Sequence, residues 1–568
     1  MSKRKKTVQP SLRERARLAG GMPGIILAGL FLVQFAVICF FNLTQIRNHI
    51  GVDASWNLVK AALVWKEKAL FHPMWIDTTS FSLDNSLVIA SPLYGLTGNL
   101  ALSFGVANIL TLLLILACVW RILQRLSVRF SARMIALNLI VCPYLVSGFA
   151  LENGLGFLQR VLSTSFVIVN DLGYFSTVLG GAAFYSWRVL AALLVVLTFI
   201  RIRQDHRIGV LGVVTLLLCA WSAVSSGIYL IVMIFAPYLA YELEVAMILN
   251  DRKQLVRKES VFGAAGTLAT LAGACYTHFI LHFDTYSVSR TWTAFKNLRK
   301  NFESAFLGFV KLLQALPPAG QEEGILSRAG LFRAFPILIL LAFLISVGYF
   351  AVRVFRKNHL LEEKGIYLFL LNIVLLNFAL MGMFNVTYGA LVFEERYLIT
   401  TFFAAVLLVA LFFGQMNEKS FACTVLTLVM AAAIAGTDYQ SDRQYMRVSN
   451  EGWHLGEIQE LAEEHDAGMV CFWGDELESV GRIMRAYDPE RLYKIVSSAG
   501  GKFFTFDMHK DDYLYGERKG EYDGPVMFVV DGNNNLIWED ILARCELVRE
   551  MDELSVYLCP ENPIPWLN

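Results

Sequence analysis

Of 568 residues, 56% are hydrophobic and only 17% charged, against about 25% charged in a soluble chain. Mean hydropathy is +0.51, and a net charge of +1 leaves no basic face for nucleic acid once membrane orientation has used its arginines. A soluble enzyme and a nucleic-acid binder are excluded, and an α-helical polytopic membrane protein is expected.

The segment 1–22 reads as a cytoplasmic N-terminus, with seven basic residues from Lys3 to Arg17. No small-residue cleavage site follows, so the first apolar run reads as a retained anchor. A helix needs about 20 apolar residues to cross about 30 Å of hydrocarbon. Eleven segments are candidates: 23–42, 101–120, 134–150, 184–201, 208–224, 227–247, 261–281, 331–352, 366–384, 397–414 and 420–436. With the N-terminus inside, the short internal loops hold Arg121, Arg125, Arg129 and Arg133, then Arg201, Arg203 and Arg207. Arg252, Lys253, Arg257, Lys258, Arg353, Arg356, Lys357 and Lys364 fall on that same side, as orientation by positive charge requires. A crossing within 86–104 would put the Arg121–Arg133 cluster outside, so that stretch reads as re-entrant or surface-lying. The transmembrane region is then 23–437, and the odd number of crossings leaves 438–568 extracytoplasmic. Nine cysteines include no CxxC, and six of them (Cys39, Cys118, Cys142, Cys219, Cys275 and Cys423) lie in apolar runs as small buried hydrophobes.

The first external loop, 43–100, opens with an amphipathic helix over 51–70. Val52, Trp56, Val59, Leu63 and Leu70 make one face, and Lys60, Glu67 and Lys68 the other, the pattern of a helix lying in the membrane interface. Asp53 stands at its start, where Asp is a frequent N-cap; capping and a chemical role are compatible. His72-Pro73 ends the helix, Asp77 and Asp84 are further carboxylates, and Ser91-Pro92-Leu93-Tyr94 leads to the second span. The loop 151–183 offers Glu152, Arg160, Asn170 and Asp171. The loop 282–330 carries an amphipathic helix from Thr291 to Leu316, with Trp292, Phe295, Leu298, Phe302, Phe306, Phe309 and Leu313 at three- and four-residue spacing. Its plain reading is an interfacial helix packed on the bundle. His278 and His282 have the spacing of a metal pair but no nearby third ligand. Span ten opens on Phe393-Glu394-Glu395-Arg396-Tyr397-Leu398, on the same expected side as Asp53. Arg396 reads as an anchor paired with Glu394 or Glu395 beside an interfacial Tyr397, or as a guanidinium fork for phosphate oxygens.

An acidic residue just after span one, a long loop with interfacial helices, a Pro-Leu-Tyr segment before span two and an Arg-Tyr pair opening a late span resemble the C-type membrane glycosyltransferases. That superfamily includes the protein mannosyltransferases and the aminoarabinose transferases of lipid A. The resemblance implies transfer of a sugar from a polyprenyl-phosphate donor to a lipid, glycan or protein acceptor on the non-cytoplasmic side. It maps the catalytic carboxylate onto Asp53, a second one onto Asp171, and substrate binding onto Arg396, Tyr397, Glu395, His72 and Asp77. It also allows the 291–316 helix as a lid over the lipid phosphate. Many relatives carry a second acid directly after the first, where this chain has Ala54, and a proline after the Arg-Tyr motif, which is absent here. A divalent metal is therefore the one candidate cofactor, with its need left open.

From Trp453 the composition turns soluble. Helices over Leu455–Glu464 and Leu477–Tyr487 and strands over Gly468–Trp473, Phe503–Phe506, Val526–Val530, Cys545–Glu550 and Ser555–Leu558 predict a small α/β domain. Cys545 and Cys559 lie symmetrically about a turn near Asp552, spaced for a disulfide in an oxidising compartment. Asp475, Glu476 and Asp531 read as ordinary strand-end acids. The alternative to an enzyme is a transporter or scaffold for envelope polysaccharide assembly. A transporter places paired charges and broken helices at mid-membrane, whereas nearly all charges here, Arg188 apart, lie at span ends. Cysteine probes at Ser80 and Asn417 are expected to label from outside and from inside respectively; labelling of both from one side would overturn the orientation.

Overall fold

The computed structural model describes residues 21–563 apart from a set of stretches, the longer being 151–164, 168–184, 250–256, 314–327, 387–397, 446–453, 506–521 and 532–538. Helix α1 (Gly21–Phe40) runs on through a π-turn and a 3₁₀ turn to His49. It is followed by α2 (Val52–Glu67), α3 (Leu87–Thr97), α4 (Leu100–Arg125) and α5 (Phe130–Val141). Next come α6 (Ser186–Asp205), α7 (Gly209–Ser226), α8 (Ala236–Leu249) and α9 (Lys258–Tyr276). The bundle is completed by α10 (Leu298–Leu312), α11 (Arg328–Arg356), α12 (Leu361–Met383), α13 (Ile399–Gln415) and α14 (Phe421–Tyr445). Among the described residues, seven helical stretches are long and apolar enough to cross a membrane: 21–48, 100–125, 209–226, 258–281, 334–354, 365–383 and 421–439. The apolar α5 and α13 are shorter. Every apolar segment named from the sequence is helical over most of its described length.

The reading of 86–104 agrees with its geometry. α3 has 11 residues and ends at Gly98, whose φ of +65° suits glycine. At 1.5 Å per residue it is about 16 Å long, too short to cross.

Helix α13 is buried without a break from Ile399 to Leu411, so it is the bundle's axis, apolar all round as a central helix must be. Phe199 of α6 packs edge-on against Tyr238 and Tyr241 and at a tilt against Phe369, at 5.1–5.4 Å, joining α6, α8 and α12. The helix ends rich in arginine gather at one end of the bundle. Arg125 pairs with Asp205 at 3.2 Å, Lys258 donates to the His206 carbonyl at 2.7 Å, and Arg129 to the Met416 carbonyl at 3.3 Å.

At the opposite end, short strands tie the loops together. β1 (Ile76–Asp77) lies parallel to β4 (Asp284–Thr285), and β2 (Gly148–Ala150) pairs with β3 (Ser165–Val167). β5 (Arg290–Trp292) runs antiparallel to β6 (Phe384–Val386). The helix expected from Thr291 therefore begins later: Arg290–Trp292 takes a partner strand, and α10 starts at Leu298. Phe309 on α10 packs against Phe343 and Phe378 of the bundle, the plain reading of this helix.

The tail adds α15 (Leu455–Glu464), β7 (Met469–Trp473), α16 (Leu477–Tyr487), β8 (Leu492–Ala499), β9 (Lys502–Thr505), β10 (Val526–Asp531), α17 (Glu539–Leu542), β11 (Glu546–Met551) and β12 (Leu554–Cys559). The sheet order is β11-β12-β10-β7-β8-β9, with β7 parallel to β8 and β10. β8 has no counterpart in the sequence reading, because Lys494, Ser497 and Ser498 break its apolar run. Cys545 and Cys559 form the expected disulfide. Burial pushes the thiol of Cys471 up to about 12, which keeps it an inert core residue.

One expectation is corrected. Helix α2 does not lie in an interface with Lys60 in water; residues 55–64 are all buried, Lys60 among them at 2% exposure. α2 packs between α3 and the tail helix α16. Trp56, Val59 and Leu63 share one buried cluster with Ile458, Phe472 and Ile483 of the tail. Arg47 seals this junction, donating to Gln459 at 2.7 Å and stacking 3.7 Å from the Tyr487 ring. The tail core is thus closed by a helix from the first loop. Ile483→Ala is expected to cost about 2–5 kcal/mol, read as earlier melting of the tail. Residues 454–563 expressed alone are expected to lack a stable fold until 52–67 is fused to them; a well-dispersed spectrum of the isolated tail would contradict this.

Candidate active site at the tail-covered end of the bundle

Asp53 is the second residue of α2, and its side chain lies outside the described residues. Asp77 sits in β1 opposite Thr285, its side chain likewise outside them. His72 is half-buried just beyond α2, with Nδ1 3.5 Å from the Glu67 carboxylate and its ring 6.1 Å from Trp75. Trp75 in turn donates from Nε1 to Glu67 at 2.9 Å. His72 therefore closes the end of α2. Asp171, Glu395, Arg396 and Tyr397 fall outside the described residues, as does the direct separation of Asp53 from Arg396. Among the described residues no three His, Cys, Asp or Glu side chains are grouped as a metal site requires.

What the structure adds is a buried polar chain linking the surroundings of the two motifs. One turn after Asp53, the Asn57 side-chain amide oxygen Oδ1 accepts from Asn85 Nδ2 at 3.2 Å. The neighbouring Asp84 is fully buried and takes a forked ion pair from Arg188, with Nε at 2.6 Å and Nη2 at 3.2 Å. Ser222 donates to the same carboxylate at 3.1 Å. Trp221 and Ser225 of α7 bind the Leu83 carbonyl and amide, holding the chain that presents Asp84. The Arg188 guanidinium lies 4.6 Å from the Tyr185 ring centre and 5.5 Å from that of Tyr229. The Tyr229 and Thr400 hydroxyls are hydrogen-bonded at 3.0 Å, and Thr400 stands four residues after Arg396. The chain runs from α2 through α6 and the entry to α8 to the start of α13.

The order of these contacts has a chemical reason. A guanidinium at the end of an apolar helix is tolerable only if paired and hydrogen-bonded, and the planar fork of arginine suits a carboxylate. Sequence reading singled out Arg188 as the charge off the span ends and Asp84 as a loop carboxylate. It did not join them, since 104 positions separate the two. The signal present was the cost of an unpaired Arg188, which demanded an acid from somewhere. Below this cluster a narrow apolar crevice of about 10 Å³ is lined by Val189, Ala192, Leu370, Thr400 and Phe403, among others. A space of this size is about that of one water molecule.

No family model matches this chain, and no curated protein matches it. Among solved structures it is similar to the arabinofuranosyltransferase AftD from mycobacteria, at 14% identity and a TM-score of 0.32. The likeness covers 79% of this chain and 29% of that one, so the chain spans well under half of that protein's length. An overlap this loose assigns neither fold nor activity.

Replacing Asp84 alone by Leu leaves Arg188 buried without its counter-charge and is expected to destabilise by about 3–5 kcal/mol. The double change Asp84→Leu with Arg188→Met is expected to recover most of that loss, by thermal unfolding of the purified protein. Additive losses would show that the two side chains do not act as a pair.

Proposed function

We propose that this chain is a membrane glycosyltransferase that moves a sugar from a polyprenyl-phosphate donor to a cell-envelope acceptor on the extracytoplasmic side. The observation that carries the reading is the polar chain from Asn57, one turn after Asp53, to Thr400, four positions after Arg396 in sequence. It supports a common location for the two motifs at one end of the bundle. Strand pairing adds a second route: β1 to β4 and β5 to β6 tie the first loop to the segment that leads into Arg396. That end is opposite the arginine-rich one, and the tail over it carries a disulfide, a bond that persists in oxidising compartments.

In this reading the acceptor hydroxyl oxygen attacks the anomeric carbon as the bond from that carbon to the phosphate oxygen breaks. Asp53 takes the hydroxyl proton as general base. The polyprenyl phosphate leaves with the bonding electron pair, and its growing charge faces Arg396. Attack opposite the leaving group inverts the anomeric centre.

Asp53→Asn keeps size and a capping oxygen while removing basicity, and is expected to lower transfer at least ~100-fold in a folded protein. Arg396→Lys is expected to weaken donor use although the charge remains, because an ammonium offers no planar fork. Transfer of radiolabelled sugar from a defined polyprenyl-phosphate donor in membranes measures both. Full activity of Asp53→Asn would reduce Asp53 to a helix cap, and absence of transfer with every donor class would favour the scaffold.

A further inference from the structure

The geometry points to Arg188 as a second anion-binding group of this site, oriented by Asp84 and aimed at the phosphate of a lipid-linked donor. The inference rests on the glycosyltransferase reading and adds to it a residue that neither motif contains. Arg188 offers five N–H donors, of which Nε and Nη2 are committed to Asp84. Its Nη1 has no hydrogen-bond partner among the described residues, although the residue is only 7% exposed. A mostly buried guanidinium with one edge left without an acceptor among the described residues is an arrangement that a bound anion would complete.

Its surroundings fit an anion more than a structural pin alone. Arg188 lies in the first turn of α6, whose leading residue Tyr185 provides no side-chain cap, so the positive end of the helix dipole adds to its charge. Trp187, adjacent in sequence, has a buried indole N–H that likewise has no partner among the described residues. The Asp84 carboxylate holds the fork in one plane and keeps the charge tolerable when no ligand is present, at the cost of some attraction for an incoming anion. Ser222 shares that carboxylate at 3.1 Å, leaving Arg188 the only cation hydrogen-bonded to it among the described residues. Tyr229 then connects Arg188 to Thr400, four positions after Arg396 in sequence. Two guanidinium groups around one phosphate would share the charge that appears when the lipid phosphate departs.

The test uses the full-length protein in detergent and three ligands: undecaprenyl phosphate, neutral undecaprenol and inorganic phosphate. Wild-type protein is expected to hold undecaprenyl phosphate more tightly than undecaprenol, and inorganic phosphate is expected to compete weakly. Competition by inorganic phosphate as strong as by the lipid would assign the site to a free anion. The folded Asp84→Leu with Arg188→Met variant is expected to lose at least ~10-fold in affinity for the lipid phosphate, the scale of one charge-assisted hydrogen bond. Asp84→Asn, which frees Arg188 from its counter-charge, is expected to tighten lipid-phosphate binding by about threefold or more. A merely structural pair would leave affinity unchanged in the first variant and would not raise it in the second. Unchanged affinity in the folded double variant overturns the role of Arg188 and leaves the glycosyltransferase reading standing. Where that variant fails to fold, Asp84→Asn decides, and no gain in affinity overturns the role. A wild-type protein that does not distinguish undecaprenyl phosphate from undecaprenol sinks the wider reading itself.

Discussion

A guanidinium at the rim of an apolar bundle has to find a carboxylate, and Arg188 finds the one on the first loop. The forked contact with Asp84, at 2.6 and 3.2 Å, fixes where that loop turns back onto the helices. Neither partner could be moved alone without leaving a charge in a low-dielectric site. Once Asp84 is placed, Asn85 reaches Asn57 on α2, and Ser225 and Trp221 grip Leu83 from α7. The loop is held by buried polar contacts at one point and by apolar packing along α2.

That packing has a consequence for the tail. A sheet with parallel central strands needs cover on both faces, and here part of the cover comes from 400 residues earlier in the chain. α2 lies between bundle and tail, so the helix that carries Asp53 is clamped from both sides. Arg47 against Tyr487 and Arg482 near the Trp56 ring, at 3.7 and 5.9 Å, add cationic contacts at the same junction. A base that must meet a hydroxyl within a few tenths of an ångström benefits from such a mount. The tail therefore acts in the proposed chemistry as a support for the first loop, and no catalytic group of its own is needed.

The arrangement also separates two kinds of charge. At the arginine-rich end, Arg125, Arg129 and Lys258 bind carbonyls and a partly exposed carboxylate, contacts worth little individually. At the other end Asp84 and Arg188 are both buried and held to each other by a forked contact. Orientation needs only many cations on one side, whereas holding an anionic ligand needs a small number in fixed positions.

Much of the fold was legible in one dimension. Hydropathy located the apolar helices, the left-handed glycine after Thr97 marks the end of a helix too short to cross, and the two longer tail helices lie where periodicity sets them. The Cys545–Cys559 pair followed from two strands meeting at a tight turn. What failed did so for identifiable reasons. Lys494 hid a strand because a single sequence does not show that its neighbours will bury it. Lys60 gave α2 an amphipathic look because a polar face predicts water only if no second body covers it. The sequence by itself determined which segments are helical, which end collects the arginines and which residue types are available for chemistry, because those depend on local periodicity and composition. Only the tertiary structure decided that Asp84 belongs to Arg188, that the tail closes over α2, and that Tyr229 reaches Thr400. Those contacts join residues from about 100 to more than 400 positions apart, and the pairing of buried charges is set by where the backbone brings them, which no local pattern encodes.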